Sequence, residues 1–254
     1  MKILCPIDFS TNAMKALEAS IYYCKLLEAD LHIINIATSF SNVDKNKEKL
    51  TQLLAGISAV SEGFIRPITK VSFGKPSHEI IKHSDTINAD MIIMGTKGYN
   101  NLKTLLFGSI TSAVAQKSNV PVMAIPSELV NEFNTSMTLS VDQRAIDNEE
   151  AFRVPMLIAK ANGVKIDILH IQEKENEFPF DPFLIPYLQD TCGEILLINK
   201  NDIIQDVKNF VEEHKTGLLI MMRREKSIFN KLMNVSNIKE EIAVTNTPIL
   251  VIPA

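Results

Sequence analysis

The sequence predicts two doubly wound α/β domains in tandem, each built on a five-stranded parallel sheet. Short apolar runs of strand length alternate with amphipathic helical stretches through residues 3–126. The carboxyl half then repeats the amino half. Between one buried strand and the helix after it stands a glycine-rich stretch.

In chain order, Ile3 to Ile7 reads as the first strand. Asp8-Phe9-Ser10-Thr11-Asn12 supplies turn and cap residues before a helix from about Ala13 to Leu27, whose Ala16, Leu17, Ala19, Ser20, Tyr23, Cys24 and Leu27 share one broad face. Asp30 to Ile36 is the second strand. A polar loop at Thr38 to Asn46 leads to a helix through Leu53, Leu54 and Ile57. Arg66 to Phe73 is the third strand, backed by a helix from Ser77 to Ser84 and onward. Ala89 to Met94 is an apolar run of strand length, Ile110 to Lys117 a helix, and Asn119 to Pro126 a short β-branched strand bounded by prolines. Parallel strands joined by helices require right-handed crossovers. Ligands on such sheets bind at the carboxyl edge near the topological switch point, and Asp8, Ile36 and Gly95 all stand at carboxyl ends of strands. One crevice can therefore collect them.

The glycine stretch is Gly95-Thr96-Lys97-Gly98, nine residues from Tyr99 to Phe107, then Gly108-Ser109. A helix start beyond the end of a parallel strand presents unpaired backbone N–H groups to a bound anion. Gly95 and Gly98 can take positive φ without a Cβ penalty, and Gly108 leaves room for a phosphate. Ser109 is expected as the helix N-cap and a hydroxyl donor. Turn glycines are the alternative reading, against which the number and spacing of these residues weigh.

These residues resemble the universal stress protein (UspA) family, whose nucleotide-binding members carry Gly-x2-Gly-x9-Gly-(Ser/Thr) at this place. Pro6-Ile7-Asp8-Phe9-Ser10 after the first strand and Gly74-Lys75-Pro76 after the third match the family too, so the resemblance covers roughly residues 1–126. It implies a Rossmann-type fold like that of adenine-nucleotide alpha hydrolases, and ATP, with magnesium, as the ligand. By the resemblance, Asp8 accepts hydrogen bonds from the adenosine part, with Ile7, Ile36 and Met94 as apolar contacts. The backbone of Gly95, Gly98 and Gly108, with Ser109 and the N–H of Ile110, holds the phosphates, and Lys97 offsets their charge. Each role has a structural alternative: a helix cap for Asp8, core for Ile7, Ile36 and Met94, solvated surface for Lys97.

The repeat is plainest where Asn119-Val120-Pro121-Val122-Met123-Ala124-Ile125-Pro126 meets Asn246-Thr247-Pro248-Ile249-Leu250-Val251-Ile252-Pro253. The same spacing sets Met91 to Met94 opposite Leu218 to Met221. Farther back, Leu31 to Ile36 pairs with Ile166 to Ile171, and Ile7-Asp8 with Val141-Asp142. We expect domains at 1–126 and 136–254 with a polar linker at 127–135. In the second copy Met222, Glu225 and Val235 replace Gly95, Gly98 and Gly108, leaving Ser236 opposite Ser109; Asn201-Asp202-Ile203 stands for Gly74-Lys75-Pro76. That copy is expected to have lost triphosphate binding. By the resemblance, Val122 to Ile125 and Ile249 to Ile252 can pair within the chain, making an intramolecular pseudo-dimer that covers sheet edges, and two tandem chains can pair further.

Of the 254 residues, 46% are apolar and 22% charged, an ordinary globular composition. A net charge of −4 argues against nucleic acid as the main partner. No apolar run approaches the ~20 residues of a bilayer span, and the amino terminus lacks a signal-peptide pattern, so a cytoplasmic location is expected. Cys5, Cys24 and Cys192 sit in apolar periodic segments and read as small buried hydrophobes, and the histidines lack metal-ligand spacing. No Walker-type Gly-Lys-Ser or water-activating residue supports catalysis, although slow hydrolysis stays open. No catalytic or metal-binding residue is assigned. A second functional reading is an interaction or apolar-ligand module acting through Phe178 to Tyr187, dense in aromatics and prolines. A third, a hydrolase or ligase of the related fold, lacks its usual pyrophosphate loop after the first strand.

Overall fold

The computed structural model describes residues 1–60, 65–96, 108–128, 136–141, 148–172, 184–199, 203–224, 229 and 246–253. These fall into two compact units, the first comprising Met1–Thr96 and Gly108–Ile125.

The first unit runs β1 (Lys2–Pro6), α1 (Thr11–Leu26), β2 (Asp30–Ala37), α2 (Val43–Val60), β3 (Ile68–Phe73), α3 (Pro76–Ile87), β4 (Met91–Gly95), α4 (Ser109–Lys117) and β5 (Val122–Ile125). The strands lie in the order β3-β2-β1-β4-β5, every pair parallel. Chain direction across the sheet reverses at β1, so right-handed crossovers put α1 and α2 on one face and α3 and α4 on the other. The helix contacts agree: α3 packs on α4, α1 on β1, β4 and β5, and α2 on β2 and β3.

Strands covered on both faces need apolar residues at consecutive positions. Ile3, Leu4 and Cys5 of β1 and Ile92 and Ile93 of β4 are accordingly buried completely. Each large side chain so buried stabilises the fold by roughly 1.5–3 kcal/mol. β3 lies at an edge and alternates between half-buried and exposed residues. It begins at Ile68, not at Arg66 as expected, because Pro67 has no N–H to give a ladder. Ser10 opens α1 in extended conformation, its Oγ accepting from the Ala13 N–H at 3.3 Å. The helix then buries Ala13, Ala16, Leu17, Ala19, Ser20, Tyr23 and Cys24, the apolar face its spacing predicts. Gly74 joins β3 to α3 at a φ of +143°, which a side chain would strain, and Pro76 starts α3 where no N–H is needed. Burial pushes the Cys5 and Cys24 thiols up to about 12, which keeps them protonated and inert.

The second unit runs β6 (Met137–Val141), α5 (Arg153–Asn162), β7 (Ile166–Gln172), α6 (Leu184–Leu188), β8 (Cys192–Asn199), α7 (Ile203–Glu213), β9 (Leu218–Arg223) and β10 (Ile249–Pro253). Its strand order is β10-β9-β6-β7-β8, again all parallel. The repeat holds down to register. Ile3 faces Met91 in the first unit as Met137 faces Leu218 in the second, and Ile92 faces Val122 as Leu219 faces Ile249. The edge pair differs, with a bulge between Ile166 and Ile168. There the Asp167 carboxylate accepts the Glu194 N–H at 2.9 Å, satisfying a backbone donor beside the irregularity.

Candidate functional site

The carboxyl edge of the first unit is assembled from the ends of β1, β2 and β4 and the start of α4. At the end of β1, the Ile7 N–H donates to Ile34 O at 2.9 Å and Ile7 is buried. Its carbonyl accepts from Asn35 Nδ2 at 2.8 Å, and Asn35 Oδ1 accepts from Asn46 Nδ2 of α2 at 2.7 Å. The chain then turns sharply. Phe9 takes a φ of +65°, an uncommon conformation for an aromatic residue, and the Lys49 ammonium sits 5.0 Å from its ring centroid.

Asp8 is exposed on this turn, and its Oδ1 accepts the Ser10 N–H at 3.0 Å. The cap of α1 is Ser10, so Asp8 organises the turn without capping the helix. Ile36 is half-buried, whereas Met94 is buried with 5% exposure.

Gly95 ends β4 against the first turn of α1. A Cβ there would stand 2.7 Å from the Asn12 carbonyl carbon and closer still to its oxygen. The positive-φ glycines among the described residues are Gly74 and Gly163, so Gly95 is required for close approach and not for a left-handed turn as expected. The next residue, Thr96, is pinned through its N–H to Ile125 O at 2.8 Å.

α4 opens on Gly108, with φ −56° and ψ 155°. Ser109 was expected as the N-cap, but the Gly108 carbonyl accepts the first helical bond, from the Ser112 N–H at 2.8 Å, which makes Gly108 the cap and Ser109 the first helical residue. A glycine cap brings no side-chain oxygen to the N-terminal N–H groups of α4. Ser109 and Ile110 are exposed there. Thr111 Oγ1 donates to the Gly95 carbonyl at 2.9 Å, tying the start of α4 to the end of β4. The result is a helix N-terminus that opens on a glycine and is held beside Gly95, an arrangement that suits an anion. Lys97 and Gly98 lie outside the described residues. Asn35 and Thr111 were not among the expected site residues; Asn35 was detectable as a polar break near the carboxyl end of β2, between Ile34 and Ile36.

Comparison with known proteins adds the family. Residues 1–126 match the model of the universal stress protein family. Universal stress protein MJ0577 of Methanocaldococcus jannaschii is 34% identical over 154 residues, which span 49% of this chain and 93% of that protein. The chain belongs to the universal stress protein family. Universal stress protein YxiE of Bacillus subtilis is 26% identical over 144 residues, 49% of this chain and 97% of the relative. A solved universal stress protein from Archaeoglobus fulgidus shares the fold over both units, with a TM-score of 0.74 at 20% identity, covering 98% of this chain and 97% of the other. A protein of unknown function from Pseudomonas aeruginosa also shares it, with a TM-score of 0.67 at 14% identity over 99% of this chain and 92% of the other.

The second unit of this universal stress protein keeps one detail of the first. His170 occupies the repeat position of Asn35, and its Nδ1 lies 3.3 Å from Val141 O, the counterpart of Ile7 O. The glycine is not kept, since Met222, buried with 6% exposure, stands at the place of Gly95. Asp142, Glu225, Val235 and Ser236, with Asn201 and Asp202, fall outside the described residues. So does most of the Phe178 to Tyr187 segment. Among the described residues no group of three His, Cys, Asp or Glu side chains is placed to hold a metal, and no helix is long and apolar enough to cross a membrane.

Proposed function

We propose that the first unit binds ATP as a regulatory ligand in a stress response and that the second unit is silent toward nucleotide. The observation that carries this reading is the N-terminus of α4, opened by a glycine cap and tied through Thr111 to Gly95 where β4 ends. Backbone N–H groups held beside a residue without a Cβ fit a phosphate chain, and the helix dipole favours its charge. The family motif over Gly95, Gly98, Gly108 and Ser109 supports the same assignment.

In this reading Asp8 accepts from the adenosine moiety, and Ile36 supplies apolar contact over Ile7 and Met94. The N–H groups of Ser109 and Ile110 receive phosphate oxygens, and Lys97 offsets their charge. Magnesium arrives on the phosphates, which commonly supply much of its coordination, so no protein carboxylate cage is needed. The residues bind and orient; none is assigned to hydrolysis. The two units are taken as domains of residues 1–126 and 136–254, joined by 127–135.

Calorimetric titration of nucleotide-stripped protein with Mg-ATP tests the proposal. The expected isotherm saturates near one site per chain. Two sites would overturn the silence of the second unit, and no binding at millimolar ATP would overturn the function itself.

A further inference from the structure

We infer that a groove on the first unit, along α3 and the end of α4, docks an extended acidic segment of a partner protein. The groove has a volume of about 790 Å³, and Lys75, His78, Ile81, Lys82, Asp85 and Lys117 line it. None of the residues assigned to ATP is among them, so the groove is a separate feature of the surface.

Its charge runs against that of the molecule. The chain carries a net −4, yet the groove gathers three lysines and a histidine against one aspartate. Lys75, Lys82 and Lys117 are exposed and have no ion-pair partner among the described residues, whereas His78 leans on Glu79 at 3.3 Å. Lys82 also acts on the Glu79 carboxylate, yet lysines still outnumber carboxylates here, and such an excess of like charge is relieved by a complementary anion.

The spacing selects the kind of anion. Lys75 at the cap of α3, His78 and Lys82 fall at i, i+3 and i+7, one stripe of the helix, so the two lysines stand roughly 10 Å apart along the groove with the imidazole between them. Alternate side chains of an extended peptide recur about every 6.6 Å, which flexible lysines can follow. Ile81 lies within the stripe and, with the lysine stems, offers apolar surface to an aliphatic side chain of the peptide.

The test uses the full chain and a fluorescein-labelled peptide, Glu-Ala-Glu-Ile-Glu-Ala-Glu, followed by anisotropy. We expect saturable binding that weakens as salt is raised, and a loss of about tenfold or more in the double variant Lys82→Glu/Lys117→Glu. The control Lys25→Glu/Lys45→Glu, which makes the same charge change elsewhere, should bind like the parent. Parallel titration with Mg-ATP should be unchanged in both variants, which separates this proposal from the nucleotide assignment. Equal binding of the glutamine analogue, equal loss in the control, or an unaffected groove variant would overturn it. So would the binding of inorganic tripolyphosphate at the groove with no binding of the peptide.

Discussion

A methyl group on Gly95 would collide with backbone, not with a side chain that can swing aside, because the Asn12 carbonyl is the nearest group. The helix that carries Asn12 or the strand that ends in Gly95 must then move. Overpacking of this kind typically costs about 1–3 kcal/mol. Gly95→Ala is therefore expected to lower stability by that amount in urea denaturation and to weaken ATP binding, since Thr111 holds α4 through the Gly95 carbonyl. A variant as stable as the parent would refute the close-approach account. The identity of this glycine was legible in the motif. Its reason was not, because Asn12 and Gly95 meet only once α1 has packed on β4.

At the scale of the elements, α3 meets the sheet through a polar contact that hydrophobic periodicity does not reveal. His32 of β2 is buried with 6% exposure, and neither ring nitrogen has a partner among the described residues. His83 of α3 is similarly buried, and its Nδ1 lies 3.4 Å from Lys70 Nζ of β3. Burial, followed by the charge of Lys2, holds His32 below the usual value of 6.5, with Asp30 opposing weakly. Burial, then Lys70, then His32 do the same to His83. Both imidazoles are thus kept neutral in the fold while the unfolded chain protonates them near the usual value. The unfolded state binds more protons as pH falls through that value, so stability declines over the interval that begins at about pH 6.5 and runs down toward the lower value held in the fold. The urea midpoint should drop over this interval, and by less in His32→Leu. An equal drop in that variant would remove His32 from the effect. The strands and helices themselves follow from apolar spacing, but the side chains that α3 sets against β2 and β3 come from positions far apart in the chain.

For the whole molecule, one scaffold has been used twice, with matching strand pairing and different edges. Gly108 discriminates between the copies. Its φ of −56° and ψ of 155° are open to any residue, so Gly108→Val should fold normally while placing a side chain where phosphate is expected. Since Met222 already fills the place of Gly95 in the second unit, that unit should not compensate. ATP affinity of the whole chain is expected to fall by more than about tenfold in calorimetry, with an unchanged circular dichroism spectrum. Retained affinity would move the site away from α4. The sequence by itself determined the two α/β units, the order of strand and helix, and which strands repeat. Those features depend on the local pattern of apolar residues and on turn residues beside them. Only the tertiary structure decided why Gly95 must lack a side chain, that Gly108 and not Ser109 caps α4, and that Asn35 and Thr111 brace the site. It also decided which cations gather along α3. Most of these are contacts between segments distant in sequence, which come into being only when the segments pack; the cap of α4 is local but turns on the backbone angles at Gly108.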